Sequence, residues 1–264
     1  MIHLKGFTKY FNFGSVNQVL ALDCIDLTVH KGDFITVIGS NGAGKSTLLN
    51  CIAGTYPFDG GTLCLDETDI TRWPEHRRAR YIGRVFQDPL VGTCASLSIE
   101  QNLALANRRG KRRGFSFGVR ASDRVRFRQV LKTLKLGLDG RLGDPVGLLS
   151  GGQRQALTLL MSTLVRPEIL LLDEHTAALD PKTAEQILGL TEAVIAAQNL
   201  TALMVTHNMN QALALGNRLI MLHGGRIILD VAGKAKASLC VADLLGKFYA
   251  ASGEELVSDR MLLG

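Results

Sequence analysis

The 264-residue chain has no apolar run near the ~18–20 residues a membrane-spanning helix needs. Its most apolar stretches, "ALTLLMSTLV" at 156–165 and "EILLLDE" at 168–174, stop well short of that. The opening "MIHLKGFTKY" lacks the layout of a signal peptide, so the expected location is the cytoplasm. No Cys-x-x-Cys pair occurs, and the cysteines number five, an odd count. That argues against a zinc site and leaves reduced, mostly buried thiols as the expectation. There is no internal repeat and no low-complexity linker. What remains is ordinary for a folded protein: 46% hydrophobic and 20% charged residues. The formal net charge is +6, and residues 108–128 hold nine Lys/Arg against one Asp. Such a stretch suits nucleic acid, anionic lipid or an acidic partner, and equally a solvated basic surface.

Alternation in "IHLKGFTKYF" (2–11) and "LDCIDLTVHKGD" (22–33) predicts antiparallel strands. "FITVIG" at 34–39 reads as a buried strand. A glycine-rich turn leads into a helix over 45–54, closed by Gly54. Residues 60–70 read as a hairpin-like strand pair, and 81–89 as a strand ending at proline. Residues 98–170 look helical, with Ser98 and Gln101 spaced as a capping box. "EILLLDE" is a second buried strand, followed by a helix over 182–197 and a strand over 201–207. Residues 217–230 read as a hairpin turned by Gly224-Gly225. Closing helices are expected over 241–250 and 252–261, the latter opened by Ser252 and Glu255. Strands and helices alternating around a glycine turn predict an α/β fold with a mostly parallel central sheet. An antiparallel N-terminal β layer and an α-helical insertion are added to it. The expected organisation is one domain over 1–264. Its core takes about 1–90 and 165–230, its insertion 91–164 and a helical tail 231–264.

"GSNGAGKST" at 39–47 fits G-x-x-x-x-G-K-[ST] through Gly39, Gly44, Lys45 and Ser46. It lies between a predicted strand and a predicted helix, the context the motif requires. Glycines let backbone N–H groups curl around a β-phosphate, with Asn41, Gly42 and Thr47 in the same cradle. Lys45 brings a positive charge between β- and γ-phosphates, and the Ser46 hydroxyl is sited to ligate Mg²⁺. The expected ligands are therefore ATP and Mg²⁺. "ILLLDE" supplies the acidic half: Asp173 as metal residue and Glu174 as general base.

A second glycine-rich helix start, "LSGGQRQ" at 149–155, has no lysine beside its glycines. It follows "GAGKST" by about a hundred residues and precedes Asp173, and it resembles the signature of the ATP-binding cassette ATPases. The resemblance covers nearly the whole chain. "VFQDP" resembles the family's Q-loop, with Gln87, a residue the resemblance also places at the metal. "AALD" at 177–180 resembles its D-loop, with Asp180, and "VTHN" its switch histidine, His207. Phe11 falls where the family stacks an aromatic on adenine, with Tyr10 and Phe13 as close competitors. The resemblance implies that two cassettes pair head to tail. Ser150, Gly151, Gly152 and Gln153 then close over the ATP held by the partner's phosphate loop, and need no lysine of their own. All motifs are intact in one chain, so a homodimer is the simplest assembly. Two positions depart from the pattern. His175 stands where the family usually has proline after the catalytic carboxylate, and Asn208 where it often has Asp after the switch histidine. His175 reads as a turn residue with its ring in solvent, or else as a group that tunes the pH profile.

The resemblance further implies an ATPase peripheral to the cytoplasmic face of a membrane, driving a transmembrane permease and, indirectly, a substrate-binding protein. Residues 88–106 would form part of the permease groove, with Leu90, Val91 and Leu97 as either dock contacts or insertion core. The wording of "IGRVFQDP" and "DEHTAALDPKTAEQ" is similar to bacterial importer ATPases proposed for aromatic amino acids or related small solutes. The alternatives are a stand-alone exporter cassette and a non-transport ATPase. The DNA-maintenance members split the fold with coiled coils, and no sustained heptad pattern is present here. Translation-associated members carry two cassettes in one chain. No nucleic-acid partner is expected.

Overall fold

The computed structural model describes residues 1–111 and 118–252. In chain order the elements begin with β1 (Ile2–Phe11), β2 (Val19–Val29), β3 (Phe34–Gly39), α1 (Lys45–Ala53), β4 (Gly60–Leu65), β5 (Thr68–Asp69) and α2 (Glu75–Arg78). Next come β6 (Ile82–Val85), α3 (Ile99–Asn107), α4 (Ala121–Lys132), α5 (Gly151–Thr163), β7 (Ile169–Asp173) and α6 (Pro181–Gln198). They are followed by β8 (Ala202–Val205), α7 (Met209–Ala214), β9 (Arg218–His223), β10 (Arg226–Ala232), α8 (Gly233–Ala237) and α9 (Val241–Ser252). The chain divides into two units, Met1–Arg78 with the segment from Thr201, and Ala79–Leu200. None of the described helices is long and apolar enough to cross a membrane.

In the first unit, β2, β1, β4 and β5 form the expected antiparallel sheet. Ile2 and Leu4 of β1 are buried; after a register shift between Leu4 and Phe7 the buried positions become Phe7 and Lys9. Lys9 tolerates burial because its ammonium pairs with Asp59 at 3.2 Å. β3 has parallel partners on both sides, β8 and β9, while β9 and β10 form the hairpin turned at Gly224-Gly225. A strand flanked on both edges and covered on both faces has no solvent side. This is why "FITVI" is buried at every position rather than alternating, and its one polar member, Thr36, donates its hydroxyl to Ala212 O at 2.9 Å. Leu48, Leu49 and Ile52 turn inward from α1. Gly54 closes that helix in the left-handed conformation, at φ 87°. The guanidinium of Arg78 donates to Cys51 O at 2.7 Å and Ile52 O at 2.9 Å, a cation at the carbonyl end of α1. Leu244 of α9 and Ala212 of α7 pack with Ile38, Leu219 and Met221.

In the second unit β6 and β7 pair in parallel, Ile82 opposite Ile169 and Val85 opposite Leu172. Its helices share a core of Ile99 and Leu103 (α3), Phe127 and Leu131 (α4) and Ala156, Leu157 and Leu160 (α5). The i, i+4 spacing of the α3 and α4 pairs puts each on one helix face. Burying each Leu, Ile or Phe contributes about 1.5–3 kcal/mol. Ser98 caps α3 in the expected box: Gln101 N donates to Ser98 Oγ at 3.2 Å, and Ser98 N to Gln101 Oε1 at 2.8 Å. The uniformly helical reading of 98–170 is corrected. Between α4 and α5 lie only short 3-10 turns at 138–140 and 146–148. Gly137, Gly140, Gly143, Pro145 and Gly147 break the helical run.

The basic stretch is not uniformly a solvated surface. Arg109 donates to Ser162 O at 2.7 Å and to Val165 O, where α5 ends, and burial lowers its pKa. Arg124 pairs with Glu100 at 2.7 Å. Lys111, Arg120 and Arg128 are exposed. Residues 112–117 lie outside the described residues, as does most of the helix expected over 252–261. The cysteines also differ from expectation: Cys51 alone is buried, and Cys24, Cys94 and Cys240 are exposed.

Candidate functional site

The phosphate-loop motif is built on the first unit. β3 ends at Gly39, the chain turns through Ala43 N–H to Ser40 O at 3.1 Å, and α1 starts at Lys45. Close approach dictates the glycines. A Cβ on Gly39 would lie 2.1 Å from Leu222 O, and one on Gly44 would lie 2.4 Å from Ala21 O. Gly44, at φ 97°, also precedes the helix without offering a capping side chain. A helix start built on backbone N–H groups rather than a side-chain cap is suited to an anion. The Lys45 ammonium donates to Gly39 O at 2.8 Å and Ser40 O at 2.9 Å, so it is held over the loop and almost fully buried. Asn41, Gly42 and Ser46 are exposed and Thr47 is half-buried. The β9–β10 turn supports the loop from beneath, with Gly225 N–H donating to Ala43 O at 3.2 Å.

Phe11 is half-buried at the end of β1, edge-on to Tyr56 with ring centroids 5.6 Å apart. Tyr10 packs edge-on against Phe13, which is 75% exposed. His207 is exposed just beyond β8. Asn208 caps α7, its Oδ1 accepting from Gln211 N at 3.0 Å. Asn and Asp serve this role equally, so the departure at 208 keeps the local structure.

The second unit carries the other predicted residues. Asp173 ends β7, whose Ile169–Leu172 are fully buried. Glu174 follows at φ 42°, and both carboxylates are half-buried. Asp180 caps α6, its Oδ1 accepting from Thr183 N at 3.1 Å, and hydrogen bonds from the Thr183 side chain and then from its backbone N–H lower its pKa. Ser150 caps α5 in a reciprocal box with Gln153: Gln153 N–H donates to Ser150 Oγ at 3.3 Å and Ser150 N–H to Gln153 Oε1 at 3.2 Å. Ser150 and Gly151 are exposed; Gly152 is buried, and a Cβ there would lie 2.3 Å from Thr183 Cγ2. The two glycines thus differ: a Cβ on Gly151 would meet only Leu179 Cδ2, at an ordinary 3.4 Å, whereas Gly152 lets α6 approach.

Gln87 is exposed one residue beyond Phe86, whose carbonyl accepts from Gln155 Nε2 at 3.1 Å. Gln155, fully buried on α5, ties the segment before Gln87 to the helix that begins at Gly151. Sequence reading passed over it; its buried position in the apolar spacing of α5 was the available signal. Leu90 and Val91 are 50% and 64% exposed. That removes them from the insertion core, while Leu97 is half-buried.

His175 corrects an expectation. Its ring is not in solvent but 2% exposed, with Nε2 3.0 Å from Thr191 Oγ1. Burial pushes its pKa down to about 4, which favours the neutral imidazole near physiological pH.

Residues 22–177 match the family model described as ABC transporter. The chain is 44% identical to a tyrosine transport ATP-binding protein of Clostridioides difficile, over 94% of this chain and 98% of the relative. It is 34% identical to a methionine import ATP-binding protein of Bartonella henselae, over 86% of this chain and 64% of that longer relative. Among solved structures, a dimeric ATP-binding cassette bound to ADP and inorganic phosphate superposes with a TM-score of 0.75 at 30% identity, covering 88% of this chain and 98% of the cassette. A phosphate loop of this construction and a likeness that runs the length of both chains lead to one assignment: the chain belongs to the ABC transporter family, as an ATP-binding and ATP-hydrolysing cassette.

Proposed function

We propose that the chain is the ATPase subunit of a bacterial importer for an aromatic amino acid or a related small organic solute. The end-to-end 44% identity with the tyrosine transport relative carries that reading. The chain is read as one cassette, a core with a helical insertion and a short tail. Two copies pair head to tail, and a permease takes up their motion, with a substrate-binding protein delivering cargo.

The roles follow from the chemistry of each group. Phe11 offers an aromatic face to adenine. Gly39, Asn41, Gly42, Gly44 and Thr47 wrap the phosphates in backbone N–H groups, and Lys45 neutralises their charge. The Ser46 hydroxyl, the Asp173 carboxylate and the Gln87 amide oxygen are hard oxygen donors, which fits Mg²⁺. That ion, when bound, offsets charge on the β- and γ-phosphates. Glu174 accepts the proton of the attacking water, and His207 donates toward the γ-phosphate. Ser150, Gly151, Gly152, Gln153 and Asp180 serve the nucleotide held by the partner copy. The start of α5 aims the positive end of a helix dipole at it. ATP then favours the closed dimer, and loss of the γ-phosphate releases it.

Light scattering of purified Glu174→Gln tests this assembly. With ATP and Mg²⁺ the protein doubles in mass, and adding Ser150→Arg abolishes the dimer. A Ser150→Arg double variant that still dimerises would remove Ser150 from the interface.

A further inference from the structure

Glu174 occupies an unfavourable backbone conformation. Its φ of 42° lies in the left-handed region, where a Cβ crowds the following carbonyl. Such a residue persists only when its surroundings hold it. One local bond helps, from Ala177 N–H to Glu174 O at 2.9 Å. The next side chain reaches further. His175 turns into the interior and meets Thr191, itself 1% exposed, on α6 sixteen residues on. The direction of that bond is set by its neighbour. The Thr191 hydroxyl donates to Ile187 O at 2.7 Å, so its one proton is committed and its oxygen accepts. Nε2 of His175 therefore carries the ring proton and donates it to Thr191 at 3.0 Å. A prolyl ring at this position has no such donor.

We propose that His175 is a positioning residue for ATP hydrolysis: its Nε2–H to Thr191 pins the turn after β7 to α6 and so holds Glu174 in the left-handed conformation from which its carboxylate works. This rests on the reading of Glu174 as general base. The anchor acts through geometry alone, on the chemical step and not on nucleotide binding.

The test compares steady-state ATPase rate, ATP dissociation constant and melting temperature of the purified full chain with ATP and Mg²⁺. His175→Phe keeps a buried flat ring without the N–H, and Thr191→Val keeps the shape without the acceptor. Each is expected to lower kcat roughly 10-fold or more, with ATP affinity unchanged within about twofold. The double variant falls no further than the worse single, because both remove one bond. His175→Gln, whose amide N–H reaches the same region, recovers most of the rate. A wild-type kcat in His175→Phe, or additive losses in the double variant, overturns the proposal. Should His175→Phe melt early, the loss in Thr191→Val and the retained rate of the separate His175→Gln variant decide. Glu174→Gln, run alongside, separates the two failures. Retained hydrolysis in that variant overturns the base assignment. Hydrolysis lost there but kept in His175→Phe overturns the anchor.

Discussion

Lys45 shows how one side chain serves two states. In this structure its ammonium is shared between the carbonyls of Gly39 and Ser40, which belong to the loop proposed to take phosphate. A buried cation needs acceptors, and carbonyls supply them without a competing negative charge. Phosphate oxygens are stronger partners for the same group, since both sides are then charged. Lys45→Ala is therefore expected to weaken ATP binding about 10–100-fold, from the roughly 1.5–3 kcal/mol of a charge-assisted hydrogen bond. Calorimetric titration with ATP measures it. An affinity within twofold of wild type would show that the backbone N–H groups alone hold the nucleotide.

At the scale of elements, α5 carries two jobs on one turn. Its cap presents Ser150 and Gly151 outward, while Gly152 lies where α6 arrives with Thr183. Thr183 is β-branched with few χ1 choices in a helix, and its side-chain hydrogen bond to Asp180 opposes a swing away from an added methyl group. Gly152→Ala is expected to destabilise the protein by about 1–3 kcal/mol through overpacking. Adding Thr183→Ser, which removes the clashing Cγ2, should restore much of that in urea or thermal unfolding. Equal stability of wild type and Gly152→Ala would mean the helix pair has slack that the 2.3 Å approach does not suggest. The capping box of α3 was legible beforehand because its two members lie only three positions apart, whereas the reciprocal box of Ser150 and Gln153 on α5 emerged only from the structure. The 3-10 turns between α4 and α5 were not legible, since leucines at helical spacing masked the Gly and Pro that end the helix.

For the whole molecule, the exposed side chains separate folding from coupling. Leu90 and Val91 stand in solvent, and Leu103 is fully buried. Aspartate at 90 and 91 together should change stability by no more than about 0.5 kcal/mol, whereas Leu103→Ala should cost about 2–5 kcal/mol. If the exposed pair meets a permease, the Leu90→Asp/Val91→Asp chain keeps its ATPase activity and melting temperature. It then fails to restore, in cells lacking this chain, the uptake of labelled aromatic amino acid that the proposed importer role assigns to the wild type. Uptake restored equally by both would assign the pair no part in coupling.

The sequence by itself determined what nearest neighbours along the chain control. A glycine turn between a buried strand and a helix, an acidic strand end, a second glycine-rich helix start and their order name the family and the site residues it implies. Only the tertiary structure decided the partners that meet across long stretches of chain. Arg109 finds the carbonyls at the end of α5, Gln155 the carbonyl of Phe86, and His175 the hydroxyl of Thr191. In sequence, His175 follows two carboxylates and precedes a polar turn, which points to solvent. In the fold, α6 lies over that turn and offers one acceptor, and burial with a single hydrogen bond becomes the lower-energy state for a neutral imidazole.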